Sequence, residues 1–279
     1  MHINAISSYK ESYYSPNFGV NWASSKLDFK KKDFFVRIKG YGRDLKWAKK
    51  TKETADAVVN FIREKCNFDE ALKKTTEGVT EANQIPIDEE KRNHTGILRI
   101  KRDGWRHGSS WSKLGLITRY DTIKRYKTYS DKLDHTVRYP LKNPYKDISL
   151  TRPVHDSDYG KFLDHGSAKN VNKALEHVNK LFDEIYLKYI KKEIKKEDLA
   201  DVNLLIAEIR WILAHATPWE RGSDAISNTF IRSIYKAIGI KTYPLKKGIS
   251  LDLEAYCTEL DEYKKNFVNY FEKKPKIIE

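Results

Sequence analysis

Cysteine is scarce: Cys66 and Cys257 are the only two in 279 residues. Two thiols cannot build a disulfide framework or a Cys-rich zinc site, and no Cys-x-x-Cys or His-Glu-x-x-His sequence supplies another ligand set. Reduced thiols in a cytosolic compartment and no bound metal are therefore expected. Long apolar runs are missing as well. Hydrophobic residues make up 39% of the chain against 33% charged, the mean hydropathy is -0.71, and no stretch nears the ~20 apolar residues that span a bilayer. The opening MHINAISSYK has neither an apolar segment behind a basic one nor a glycine at position 2, so no secretory signal or N-myristoylation site is read there. There is no Walker A sequence, no Gly-x-Ser-x-Gly elbow and no carboxylate-rich calcium loop. Gly40-Tyr41-Gly42 lacks the third glycine of a dinucleotide fingerprint and reads as a tight turn.

Positive charge is in excess. Lys and Arg number 53 against 39 Asp and Glu, a formal charge of +14, which favours acidic proteins, polyanions or anionic ligands through long-range attraction. The lysines occur in short scattered runs such as Lys30 to Lys32 and Lys273-Lys274. Such runs make a solvated face, and without a groove-reading motif they argue for no specific nucleic-acid partner.

Residues 1–40 have little period beyond a short β-like run at Asp33 to Ile38 and read as an N-terminal arm. Trp47, Thr51, Ala55, Val58, Val59, Ile62 and Cys66 recur at helical spacing, predicting a first helix over 44–66, and 70–93 reads as polar with Pro86. The Gly-, Trp-, Tyr- and Pro-rich stretch 94–159 suits short strands, hairpins and loops, with no long helix. From Ser167, a plausible N-cap, an amphipathic helix should run to about 194. A second begins near Asp198 and must stop before Pro218, and a third runs from Ser223 or Asp224 to Gly239. A fourth, from Leu251, carries Tyr256, Leu260, Tyr263, Phe267 and Tyr270. The expected fold is mainly α: 41–93 and 160–279 form a helical lobe, and 94–159 a smaller mixed lobe with short strands.

The break His215-Ala-Thr-Pro-Trp-Glu-Arg-Gly-Ser-Asp224 lies between two strongly periodic helices. Pro218 ends one, Gly222 lets the backbone turn, and Ser223 and Asp224 cap the next, whose first amides point into the break. Arg221 beside those amides suits a diphosphate; equally, it could salt-bridge a neighbouring helix across a tight connection. His215 reads as an end-of-helix histidine.

The segment Leu204 to Tyr270 resembles the AvrB family of plant-pathogen type III effectors. The likeness rests on Arg221-Gly222-Ser223, Gly239-Ile240, Gly248 and Asp252-Leu253-Glu254-Ala255, with the spacing from arginine to aspartate kept without a gap. Asp164-His165-Gly166-Ser167 is similar to that family's Asp-His pair at a helix start. The resemblance implies a two-lobed Fido-type helical bundle, the wider class of Fic and Doc. It makes Arg221 the pocket arginine, His165 the pocket histidine, Asp252 an acidic pocket residue and Thr95, in a Thr-x-x-Leu context, an upper-lobe contact. From the residues alone, His165 is equally a helix-cap or surface histidine and Asp252 a carboxylate favoured by a helix N-terminus. The chain departs from Fic proper, whose His-Pro-Phe motif supplies the base for AMP transfer: here Thr217 precedes Pro218-Trp219, and no Gly-Asn-Gly-Arg follows.

What the resemblance implies in function is a secreted effector, acting in the host cytosol, that transfers a rhamnose-like glycosyl group from a dTDP- or UDP-linked donor to a Ser or Thr hydroxyl of a host protein or peptide. Arg221, Gly222 and Ser223 would hold the donor diphosphate, and His165 or Asp252 would act on the acceptor hydroxyl. Those three groups should line one pocket, with Arg221 facing an open cleft. The rival readings are a Fic-type nucleotidyl (AMP) transferase and a non-catalytic effector that binds a host peptide.

Overall fold

A computed structural model describes residues 35–36, 44–65, 67–83, 95–99, 108–110, 123–157 and 160–278. The N-terminal stretch 1–34, Gly40 to Gly42, Cys66 and Pro86 lie outside the described residues. Phe35 and Val36 are buried without forming a strand, and the Phe35 carbonyl accepts from the Leu245 amide at 2.8 Å.

Helix α1 (Leu45–Lys65) follows the predicted register, with Thr51, Ala55, Val58 and Ile62 buried. The next segment corrects the sequence reading: instead of a polar stretch from residue 70, helix α2 (Phe68–Ala82) packs antiparallel to α1. Asn67 caps it, its side chain accepting from the Glu70 amide, and Asp69 and Glu70 suit the positive end of the helix dipole. Its buried face is Phe68, Ala71, Leu72, Thr75 and Val79, made partly of small and hydroxyl residues that hydropathy does not flag. At Gly78 a Cβ would stand 2.3 Å from the Thr54 hydroxyl, so glycine sets how closely α1 and α2 approach.

The middle of the chain holds a three-stranded antiparallel sheet of β1 (Gly108–Ser110), β2 (Arg152–Asp156) and β3 (Gly160–Asp164), with β3 central. It also holds helix α3 (Ile123–Arg138), where no long helix was expected. Tyr129 and Leu133, one turn apart, are its buried anchors. The Tyr129 hydroxyl and the Lys132 ammonium both bond Glu254, which fastens α3 to the helical bundle.

The rest of the chain is helical. A single turn at Ala168–Asn170, capped by Ser167, leads into α4 (Val171–Ile185), which ends in a wider turn at Tyr186–Ile190. Helix α5 (Leu199–Ala216) is buried on nearly every side, because α4, α6 (Ser223–Ile238), α7 (Leu251–Tyr256) and α8 (Leu260–Asn266) all pack against it. Phe182 of α4, Phe68 and Phe230 form a triangle of rings with centroids 5.7–6.0 Å apart, which joins α2, α4 and α6. Truncating such a side chain typically costs about 3–5 kcal/mol. The predicted fourth helix is interrupted after Tyr256. The carbonyl of Thr258 turns out to accept the Trp211 indole N–H at 3.1 Å, so the chain restarts as α8 and closes in a 3-10 turn at Phe267–Tyr270. Two short strands, β4 (Ile240–Lys241) and β5 (Lys276–Ile277), pair beyond Gly239, which terminates α6 at φ 91. The chain is mainly α, and among the described residues no helix is long and apolar enough to cross a membrane.

Candidate functional site

The site is built where α5 ends. An α-helix leaves its last carbonyls without intrahelical donors, and here Pro218, which has no N–H, makes the shortage worse. Thr217 closes the helix in left-handed backbone (φ 40, ψ 62), a conformation that a β-branched residue adopts only under strain of roughly 1–3 kcal/mol. Its hydroxyl turns back to the Ala214 carbonyl at 3.0 Å, and its amide bonds the Leu213 carbonyl at 3.1 Å. The His215 carbonyl takes the Thr151 hydroxyl at 2.9 Å.

The next two carbonyls are held by a residue absent from the sequence-based site. Arg99 is only 3% exposed. Its guanidinium donates to Thr217 O (2.6 Å), Ala216 O (2.7 Å), His165 O (3.3 Å) and Gly166 O (3.4 Å). Burial pulls its pKa down, partly offset by the nearby Asp164, and an arginine stays cationic under such a shift. The same short segment runs alongside the break. The Gly96 amide bonds Arg221 O, the Arg99 amide bonds Pro218 O, and the Glu220 amide bonds Ile97 O, at 2.9–3.2 Å. Thr95 is thereby brought opposite Arg221 and against Gly222, where a Cβ would lie 3.2 Å from its methyl.

His165 arrives from strand β3 through a turn that needs glycine: Gly166 has φ +70, and a Cβ there would stand 2.6 Å from Ser149 Cβ. The Asp164 carboxylate accepts from the Gly166 amide at 3.0 Å. The imidazole is 6% exposed, with Nδ1 at 3.1 Å from Thr151 Oγ1 and 3.2 Å from Thr217 Oγ1, and its ring centroid lies 6.0 Å from that of Tyr256. It is therefore neither a surface histidine nor a helix cap.

Arg221 is exposed, and its side chain makes no hydrogen bond or ion pair with the described residues. Gly222 is the N-cap of α6 at φ 85, so the first turn of that helix has no side-chain cap. This corrects the expectation that Ser223 caps it. Ser223 is the first helical residue, and its hydroxyl is tied to the backbone of Trp219, donating to its carbonyl at 3.0 Å and accepting from its amide at 3.2 Å.

Asp252 opens α7 and is 8% exposed, its Oδ1 accepting from the Ser250 hydroxyl and, at 2.8 Å, from the Leu253 amide. One turn later on the same helix is Tyr256, whose pKa burial and the nearby Asp252 charge push far above its usual value. Beneath them lies Arg210, fully buried, bonded to Asp224 and, at 2.9 Å, to Asn228. Burial works against its charge, and Asp224, with a smaller contribution from Asp252, more than offsets that. His215 is a core residue, its ring centroid 4.1 Å from that of Trp211 in a tilted contact, with Nε2 at 3.1 Å from Ala255 O and its pKa pushed down to about 3 by burial.

The structure thus brings His165 and Asp252 to the same tyrosine, and the Thr217 that touches His165 starts the turn that carries Arg221. No bond joins Arg221 to either partner among the described residues. An open groove of about 950 Å3 runs beside the His165 turn, between Pro140-Leu141, Thr151 to His155 and Gly166-Ser167; none of His165, Arg221 and Asp252 lines it. Among the described residues no group of three or more His, Cys, Asp or Glu is placed to hold a metal. Sequence reasoning missed Arg99, Thr151, Arg210 and Tyr256 as parts of the site. Thr217 carried the available signal, a β-branched residue between a helix and a proline.

A mainly helical bundle with a polar, histidine-containing site at an interhelical break is the class of protein these features define. The AvrB_AvrC family model, described as avirulence protein, matches residues 119–274, more than half of the chain, and the chain belongs to that family. It is 30% identical over 101 residues to Avirulence protein B of Pseudomonas savastanoi pv. glycinea, a match that covers 36% of this chain and 29% of that protein.

Proposed function

We propose that this avirulence-family effector is an enzyme of the Fido type that transfers a glycosyl group from a dTDP- or UDP-linked sugar to a Ser or Thr hydroxyl of a host protein, within the host cell. The observation that carries the reading is Arg221. It is an exposed arginine without an ion-pair partner among the described residues, one residue ahead of a helix start that lacks a side-chain cap. Exposed arginines of structural use usually find a carboxylate. One left beside a helix start with no side-chain cap suits a diphosphate, which takes a bidentate guanidinium contact together with the positive end of the helix dipole.

In the transfer, the acceptor oxygen bonds the anomeric carbon, the bond from that carbon to the donor diphosphate breaks, and the acceptor hydroxyl proton leaves to a base. Arg221 and the first amides of α6 bind the charge that grows on the diphosphate, a contribution on the order of 100-fold or more per donor group. His165, held against the same break by Thr151 and Thr217, is the base in this reading. Asp252 is a fixed charge whose Oδ1 is already bonded twice.

The test is incubation of the protein with host extract and a panel of dTDP- and UDP-sugars, ATP and UTP, read by intact mass of the modified target. A glycosyl mass increment is expected. A nucleotidyl increment replaces the reading with AMP-type transfer. No increment from any donor, with target binding that survives Arg221→Ala, replaces it with a peptide-binding effector.

A further inference from the structure

Every carbonyl at the end of α5 has an identifiable donor, and that accounting fixes a proton on His165. In a continuing helix Ala214 O would accept from residue 218 and His215 O from residue 219. Residue 218 is a proline and has no N–H, and the Trp219 amide is directed to Ser223 Oγ at 3.2 Å. Ala214 O therefore depends on the Thr217 hydroxyl, and His215 O on the Thr151 hydroxyl. A buried carbonyl left without a donor costs roughly 1–3 kcal/mol, so both hydroxyl protons stay on these carbonyls.

A hydroxyl has one proton, and with that proton committed it can meet a third group only as an acceptor. Both threonine oxygens lie within hydrogen-bonding distance of one atom, Nδ1 of His165. Two acceptors around a ring nitrogen require that nitrogen to carry hydrogen. We infer that Thr151 and Thr217 are positioning residues that hold neutral His165 as the Nδ1–H tautomer, so that the lone pair, and with it the capacity to accept a proton, sits on Nε2. Arg99 keeps the arrangement in register by bonding the carbonyls of His165 on one side and of Ala216 and Thr217 on the other. The left-handed strain at Thr217 is the cost of turning its hydroxyl toward both the helix end and the imidazole.

The tautomer follows from the hydrogen bonds alone; only its use, acceptance of the acceptor-hydroxyl proton, rests on the glycosyl-transfer reading. The experiment is a long-range 1H–15N correlation spectrum of the histidine rings of the full-length 15N-labelled protein, without substrate, at a pH where His165 is neutral. His165→Gln assigns the signals. Wild type should show a pyrrole-type Nδ1 and a pyridine-type Nε2 for His165. The double variant Thr151→Val/Thr217→Val should lose that pattern, and Thr151→Ser/Thr217→Ser should restore it. A pyridine-type Nδ1 in wild type overturns the inference, as does an unchanged tautomer in the double valine variant. Where the valine variant does not fold, the wild-type spectrum alone decides. If donor turnover is measured, kcat of the valine variant should fall on the order of 100-fold with donor KM unchanged. A pyrrole-type Nδ1 in a protein that turns over no donor leaves the tautomer standing and removes the transfer reading alone.

Discussion

Replacing Arg221 by alanine separates its two possible roles. The side chain is exposed, unbonded among the described residues, and followed by the glycine that starts α6, whose buried face begins at Ala225 and Ile226. Truncation removes no core contact, so the stability change should stay within about 0.5 kcal/mol. Its contact with a diphosphate would be charge-assisted and bidentate, about 1.5–3 kcal/mol. Since about 1.4 kcal/mol is tenfold in an equilibrium constant, donor affinity should fall roughly 10- to 150-fold. The transfer rate should fall further, because charge on the leaving group grows toward the transition state. Thermal melting, donor titration and target modification on one preparation give the three numbers. A variant that melts many degrees lower would make Arg221 structural. One that binds donor and modifies target like wild type would refute the phosphate-binding argument.

Arg99→Met should behave in the opposite way, losing about 2–5 kcal/mol in denaturant unfolding, because its two shortest bonds to helix-end carbonyls are charge-assisted and the carbonyls left behind are buried. Gly166→Ala should destabilise by more than the roughly 1–2 kcal/mol of left-handed backbone alone, since Ser149 Cβ must also move; a melting temperature equal to wild type would refute the tight-turn account. His215 has a folded pKa of about 3, below its ordinary 6.5, so the unfolded chain takes up a proton that the folded one refuses. The stability this contributes is complete above pH 6.5 and declines as pH falls from there toward 3, by about 2 kcal/mol between pH 8 and pH 5. The loss should be absent from the pH dependence of unfolding in His215→Gln.

What was legible in the sequence was what local chemistry fixes. Pro218 and Gly239 bracket α5 and α6 as read, and the periodic apolar residues of both helices are largely in the core. Helix α2 was missed because Ala71, Thr75 and Gly78 take up much of the face it packs on α1, and α3 because Tyr129 and Leu133 are its large buried apolar residues among those described. The site was half legible. The break and His165 could be found from motif spacing, but Arg99 stands in a basic run that reads as surface and is buried only because a helix end 118 residues later needs its donors. Ser223 was misassigned as a cap since a positive-φ glycine took that position instead.

The pairing of residues 95–99 with the turn 218–221 bears on how the protein can be cut. The stretch 119–274 that matches the family contains His165, Arg221 and Asp252, so a fragment trimmed to those limits looks self-sufficient on paper. It would leave behind Arg99, which supplies donors to Ala216 and Thr217, and the Gly96 and Arg99 amides that hold the backbone of Arg221 and Pro218. It would also strip α1 and α2 from α6 and bare the rings of Phe182 and Phe230, on which Phe68 rests. The boundaries of the recognisable family segment are therefore not the boundaries of a folding unit.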